Sequence, residues 1–239
     1  MNLLTTFMLR SFKLSIILSL PLLLVLGSVR LLLTDQYLAF EYGKTGFPAD
    51  RFGFDADQRL DYAVANFRYV REQQPLNALA DQRLENTPLY NDRELTHMQD
   101  VQTVYQMVWK VWQLALGLTV LAGWGLAWRA ETRPALTDAI KWGGLLTAGI
   151  VLIVGSLAVV AWQVWFVAFH EIFFASGTWT FNYSDTLIRL FPEKFWVDAT
   201  LTIASLSLIG GLLLALTGWR YRFQPPSEPA RFRQTLKHC

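Results

Sequence analysis

Four stretches of this sequence are long enough and nearly charge-free enough to cross a bilayer. Residues 111–128, 142–169 and 199–219 carry no Asp, Glu, Lys or Arg, and residues 14–33 carry only Arg30, near the end of the run. There a long side chain can snorkel to the interface. About 20 apolar residues in a helix cross the roughly 30 Å of hydrocarbon in a membrane. The chain as a whole is 53% hydrophobic and 17% charged over 239 residues, too apolar to hide in a single water-surrounded core of that size. The expected fold is an all-α membrane protein, a bundle of four transmembrane helices. Arg10 and Lys13 ahead of the first run imitate the basic start of a secretory signal. The run is long for a signal and lacks a small-x-small cleavage site, so it is read as a helix.

Lysine and arginine in short segments resist translocation. Arg10 and Lys13 precede the first helix, Arg129, Arg133 and Lys141 lie between the second and third, and Arg220, Arg222, Arg231, Arg233 and Lys237 follow the fourth. Only Glu131, Asp138 and Glu228 oppose them. This side is therefore expected to be cytoplasmic, with both termini on it, in a bacterial inner membrane. The expected organisation is a cytoplasmic tail and first crossing over 1–34, an extracytoplasmic cap over 35–106, a second crossing over 107–128 and a cytoplasmic loop over 129–141. A third crossing over 142–169, an outer loop over 170–198, a fourth crossing over 199–219 and a basic tail over 220–239 complete it. The basic excess follows this topology and forms no stripe with interleaved aromatics, so nucleic acid is not an expected partner. The tail suits anionic lipid headgroups instead.

The first outer segment has the signals of a compact cap made of short elements. Asp55 with Gln58 reads as a helix start, and Leu60, Val64, Phe67 and Val70 follow at helical spacing, which predicts a helix from 56 to about 72. Gly43, Gly46, Phe47-Pro48 and Gly53 punctuate the stretch before it, and Pro75 and Pro88 bracket the stretch after it. Asn91 with Glu94 marks a second helix start, on which Glu94, His97, Val101, Val104 and Val108 share a face, with Asp100 one step beyond His97.

The chain has three histidines. His97 and His170 fall on the outer side by this topology, and His238 falls in the basic tail. His170 belongs to a stripe in which Trp162, Trp165, Phe166, Phe169, His170 and Phe173 recur at helical spacing. The apolar run that carries it would span roughly 42 Å as a helix, more than the hydrocarbon needs, so its outer end must tilt or project into the cap. The one cysteine, Cys239, falls on the cytoplasmic side. This leaves the outer segment without a disulfide and without a cysteine nucleophile. No G-x-S-x-G element supports Ser176 or Ser184 as a nucleophile.

Two stretches, "RELTHMQDV" with Glu94, His97, Asp100 and Val101, and "FHEIFF…GTWTF…SDTLIRLFPEKFW" with His170, Trp179, Asp185, Arg189 and Pro192, closely resemble the bacterial lipoprotein intramolecular transacylase family, Lit. The four-crossing layout with a large first outer segment is similar as well. The resemblance implies an acyltransferase that moves the sn-2 acyl chain of a diacylglyceryl-cysteine lipoprotein onto the α-amine of that cysteine, giving an N-acyl lyso-form. It also implies two essential histidines at the base of an outward-facing cleft, matching His97 and His170.

Such a reaction needs neither cofactor nor activated donor, because amine and ester sit in one molecule. It needs a base for the amine and a donor for the oxyanion. Either imidazole can fill either role at this stage. Arg189 is an alternative donor, and Glu94, Asp100, Glu171 or Asp185 could orient an imidazole through its second N–H. Trp179, Phe169, Phe173 and Trp165 are the expected walls of a lipid cleft, and diacylglyceryl-cysteine lipoproteins and phospholipid are the expected partners. Two other readings remain open. One is a non-catalytic scaffold or receptor with a lipid- or protein-binding cap. The other is a metal-dependent membrane hydrolase using both histidines with Glu94, Asp100 or Asp185, although no H-E-x-x-H spacing is present.

Overall fold

The computed structural model describes residues 3–222; the basic residues Arg231, Arg233 and Lys237, together with His238 and Cys239, lie outside the described residues. Four long helices dominate: α1 (Leu3–Leu32), α5 (Asp92–Ala127), α6 (Arg133–Val160) and α9 (Glu193–Arg222). All four are long and apolar enough to cross a membrane. Large apolar side chains such as Leu121, Ile153 and Leu213 point outward from the bundle and are mostly exposed. In water that would be a liability, but in lipid it is the expected surface.

The bundle closes through small residues. α6 packs against α9 along its length, with α1 beside both and α5 against α1. Lipid tails are as apolar as leucine, so close backbone approach and hydrogen bonds must hold such helices together. A Cβ placed on Gly211 would stand 2.9 Å from the Gly144 carbonyl oxygen, so glycine is required on both sides of this crossing. The Ser28 and Ser207 hydroxyls, 3.3 Å apart and buried, add a polar contact between α1 and α9.

At one end of the bundle sits the cap. It contains α2 (Asp35–Tyr42), α3 (Ala56–Glu72), α4 (Asn77–Ala80), a hairpin of β1 (Arg83–Leu84) and β2 (Thr87–Pro88), and α8 (Thr186–Leu190). The hairpin is antiparallel, with Arg83 opposite Pro88 and Leu84 opposite Thr87. Both expected helix starts form reciprocal capping boxes: Asp55 with Gln58 opens α3, and Asn91 with Glu94 opens α5. The cap has its own core, in which Leu38, Tyr69 and Leu79 from the first segment meet Leu190, Phe191 and Phe195 from the segment after residue 170. Two distant parts of the sequence thus fold as one unit. Arg30 ends α1 at this level, donating to the Tyr105 hydroxyl at 2.8 Å and lying 3.9 Å over the Trp109 ring.

The third apolar run is not one straight helix. α6 stops at Val160, and a separate helix, α7 (Trp162–Phe173), begins after Ala161, whose φ of −136° and ψ of 57° leave the helical region. Neither proline nor glycine stands at 161, so local propensity does not cause the break. The run is longer than the hydrocarbon requires, and the break lets its outer end change direction toward the cap. α7 buries none of its residues fully, and Val160, Val164 and Ile172 are largely exposed. It forms an apolar arm that carries His170.

The α6–α9 crossing generates a prediction. Gly144→Leu should lower the yield of folded protein and the melting temperature in detergent, because overpacking a close crossing costs about 1–3 kcal/mol. Gly149→Ala, where a Cβ meets nothing within 4 Å, should leave both unchanged. Thermal unfolding of the two purified variants followed by size-exclusion chromatography measures the difference.

Candidate active site

The capping box that starts α5 also fixes the first imidazole. His97 lies on the second turn, one turn beyond the buried Glu94, and is 9% exposed. It is well outside the charge-free part of α5, which begins at Val111. His170 comes from the last turn of α7 and is half-buried. The two rings face each other at 6.5 Å between centroids, with 20° between their planes. Two residues 73 positions apart in sequence thus share one site.

Aromatic rings enclose the pair. Phe174 stands 4.8 Å from His97, and Phe181 meets it edge-on at 5.3 Å. Phe166 and Trp179 lie 4.0 and 4.8 Å from His170, and Phe169 meets it edge-on at 5.4 Å. Trp165 stacks on Phe169 at 5.6 Å, and Phe173 is 5.0 Å from Phe169. Phe166 belongs to the stripe read from the sequence, whereas Phe174 and Phe181, which also line the imidazoles directly, were not singled out there. The run Phe173-Phe174 beside His170 was the available signal; Phe181 had none, since it reaches His97 only through the fold of a loop.

This apolar shell sets the protonation states. Burial, and secondarily the neighbouring His170, pushes His97 down to about 4. Burial also lowers His170, against the opposing pull of the Phe166 carbonyl. Both rings are neutral at neutral pH. The His170 Nδ1 lies 2.7 Å from the Phe166 carbonyl oxygen, and a carbonyl can only accept. Nδ1 therefore carries the hydrogen and donates it, which leaves the Nε2 lone pair free as a base. The Nδ1 of His97 is buried with no hydrogen-bond partner among the described residues.

The polar residues expected to serve the imidazoles do other work. Glu94 accepts from the backbone N–H of Asn91 at 2.9 Å with one oxygen and from that of Leu187 at 2.7 Å with the other. Burial raises its carboxyl above the usual range, and the N–H bonds oppose that shift. Asp185 accepts from Asn91, Arg93 and the Asn182 N–H. Arg189 donates through Nε and Nη2 to the two oxygens of Asp50 at 3.1 and 3.0 Å, in a pair whose side chains are 9% and 2% exposed. It also lies 3.6 Å over the Phe54 ring. Its Nε–Nη2 edge is thus held by Asp50 and one face by Phe54, which makes Arg189 a strut of the cap, and the cavity it lines includes neither imidazole. Glu171 is exposed and Asp100 half-exposed, and neither makes a hydrogen bond to an imidazole. The orienting acceptor is a backbone carbonyl, which a reading of side chains cannot find.

Among the described residues no three His, Cys, Asp or Glu side chains gather as ion ligands; Glu94 is turned to backbone N–H groups and Asp185 to Asn91, Arg93 and the Asn182 N–H. An open surface cavity of about 570 Å³ lies over the start of α5, lined among others by Asn91, Glu94, Asp185 and Arg189. It includes neither imidazole.

Comparison with known proteins agrees with this architecture. The family described as lipoprotein intramolecular transacylase Lit matches residues 14–196. An uncharacterized protein of Aquifex aeolicus is 31% identical over 192 residues, covering 80% of this chain and 85% of its own length. Among solved structures, the membrane-integral lipoprotein intramolecular transacylase Lit from Bacillus cereus superimposes with a TM-score of 0.69 at 17% identity, covering 91% of this chain and 96% of that one. A histidine-to-arginine variant of the same Bacillus cereus protein gives 0.60 at 18% identity, with 92% and 93% covered.

The depressed His97 makes stability pH-dependent in a defined direction. The folded protein resists protonating this ring until about 4, whereas an unfolded chain takes up the proton near 6.5. Its contribution is therefore complete above 6.5 and is lost as the pH falls from there through about 4. His97→Gln should show a smaller drop in melting temperature than the parent between about pH 7 and about pH 4.5. Equal drops would mean that the ring is not held neutral.

Proposed function

The chain belongs to the lipoprotein intramolecular transacylase family, Lit, and from that premise we propose that it moves the sn-2 acyl chain of a diacylglyceryl-cysteine lipoprotein to the cysteine α-amine by two-histidine acid–base catalysis. The observation that carries this reading is the pair of neutral imidazoles, 6.5 Å apart within a wall of aromatic rings. The substrate is an amphiphile whose reacting ester lies where acyl chains meet headgroups. α7 offers an apolar arm that leads from the bundle to His170, a path for the acyl chain.

The residues divide the work as their bonds suggest. With Nδ1–H donated to the Phe166 carbonyl, His170 presents Nε2 to the amine and removes its proton as the C–N bond forms. The carbonyl electron pair moves to oxygen, and collapse of the tetrahedral species breaks the bond to the glycerol oxygen, which takes the proton back from His170. One amine and one ester become one amide and one alcohol, so the step balances without a co-reactant. His97, held neutral and without a bond from Nδ1 to the described residues, offers an N–H to the carbonyl oxygen as charge develops there. The amine has a reference pKa of about 7.7–8.0, so a base that stays free at neutral pH suits it. By the distribution of lysine and arginine, the site faces the outside of the inner membrane and both termini the cytoplasm.

Expression in a bacterium that makes only diacylglyceryl lipoproteins, followed by mass spectrometry of their N-terminal peptides, should reveal N-acyl lyso-forms. His170→Gln and His97→Gln should each reduce that product by about 100-fold or more while leaving membrane abundance unchanged. An unaltered acyl pattern with the parent protein would refute the activity. A product retained by both variants would refute the two-histidine mechanism and leave the activity standing.

A further inference from the structure

We infer that Trp179 is a catalytic residue, its indole N–H forming with His97 a two-donor oxyanion site for the ester carbonyl. The inference rests on the acyl-transfer reading above. Arg189, the other donor expected for that oxygen, gives its Nε–Nη2 edge to Asp50 and lines a cavity that includes neither imidazole, so a second donor is sought among the groups that touch the histidines.

Trp179 has the required properties. Its Nε1 is buried and has no hydrogen-bond partner among the described residues. Indole nitrogen is a donor only, so the missing partner must be an acceptor. An N–H removed from water without one is costly, and native folds keep few such groups. The ring stands 4.8 Å from that of His170, with 35° between the planes, and 6.5 Å edge-on from Phe166. Here a short turn returns the chain onto α7. The Thr178 N–H and hydroxyl both donate to the Ala175 carbonyl, at 3.2 and 2.9 Å, and Gly177 takes a φ of +85°, a conformation in which a Cβ is strained. The turn brings Trp179 back over the histidine nine positions before it.

Two unpartnered buried nitrogens, His97 Nδ1 and Trp179 Nε1, thus belong to rings whose centroids lie 6.5 and 4.8 Å from the ring that supplies the base. A ground-state ester oxygen is a modest acceptor, whereas the oxyanion of the tetrahedral species is a strong one. In an apolar shell a fixed donor favours the latter disproportionately. The donor adds no bond and moves no proton, and the balance of the acyl transfer is unchanged.

The test uses the full-length protein in detergent with a synthetic dipalmitoylglyceryl-cysteine lipopeptide. Trp179→Phe should lower kcat by about 100-fold, the usual effect of removing one oxyanion donor, with KM nearly unchanged. Because phenylalanine is smaller, benzothienylalanine at 179 is the decisive second variant; it keeps the fused ring and puts sulfur where the N–H was. It should lose kcat to a similar degree. It should also bind a lipopeptide analogue with a phosphonate in place of the sn-2 ester more weakly, while binding of the ester itself stays as in the parent. Parent-like kcat in the benzothienylalanine variant would overturn the inference, as would a change confined to KM, which marks ground-state binding or wall packing. Failure of the parent protein to convert the lipopeptide would instead refute the acyl-transfer reading, and this inference with it.

Discussion

Glu94 is a carboxylate almost without access to water, and each of its oxygens holds a backbone N–H from a different part of the chain. One, of Asn91, belongs to the start of α5 and the other, of Leu187, to α8, 93 positions after Glu94. Burying such a group is costly unless its oxygens are satisfied, so the α5 terminus and the α8 segment must stay together for either to be well placed. The Arg189–Asp50 pair and the Arg59 side chain, which donates to the Arg189 carbonyl at 2.6 Å, extend this joint across the cap. His97 is one turn from Glu94 on a rigid helix. The loop that returns from His170 is anchored at α8. The meeting of the two imidazoles follows from a polar joint that touches neither.

The chemistry of the site depends on dryness as much as on proximity. Phe174 and Phe181 around His97, and Phe166 and Trp179 around His170, remove water that would otherwise stabilise imidazolium. A neutral ring can accept a proton, which an imidazolium cannot, and it keeps one N–H to donate. The apolar shell therefore tunes the acid–base groups. A carboxylate beside either ring would have raised its pKa and opposed this, and Glu94 and Asp185 are bonded to the backbone, Asn91 and Arg93 instead.

Much of the fold was legible before any coordinates. Four charge-free runs dictated four membrane helices, because the length and composition of a crossing are imposed by the bilayer rather than by neighbouring residues. The capping boxes at Asp55 and Asn91 form as their spacing implied, since a cap is a contact between residues three apart. The break at Ala161 was illegible. It answers the excess length of the apolar run and the position of the cap, neither of which is encoded at residue 161. Site residues divided in the same way. The histidines stood out as ionisable groups in an unusual setting, whereas Arg189 and Asp185 stood out only as charges. Whether a charge serves a substrate or a neighbouring loop depends on a partner elsewhere in the chain, Asp50 for one and Arg93 for the other.

The sequence alone determined the solvent, the number of crossings, the local helix starts and the two histidines able to take up a proton, because each is a property of composition or of spacing within a few turns. Only the tertiary structure decided that residues 97 and 170 meet, that a backbone carbonyl fixes the tautomer of His170, and that Arg189 braces the cap through Asp50. Those outcomes rest on distances between segments far apart in the chain and on how much water each group keeps. Both are set by packing, on which a linear pattern is silent.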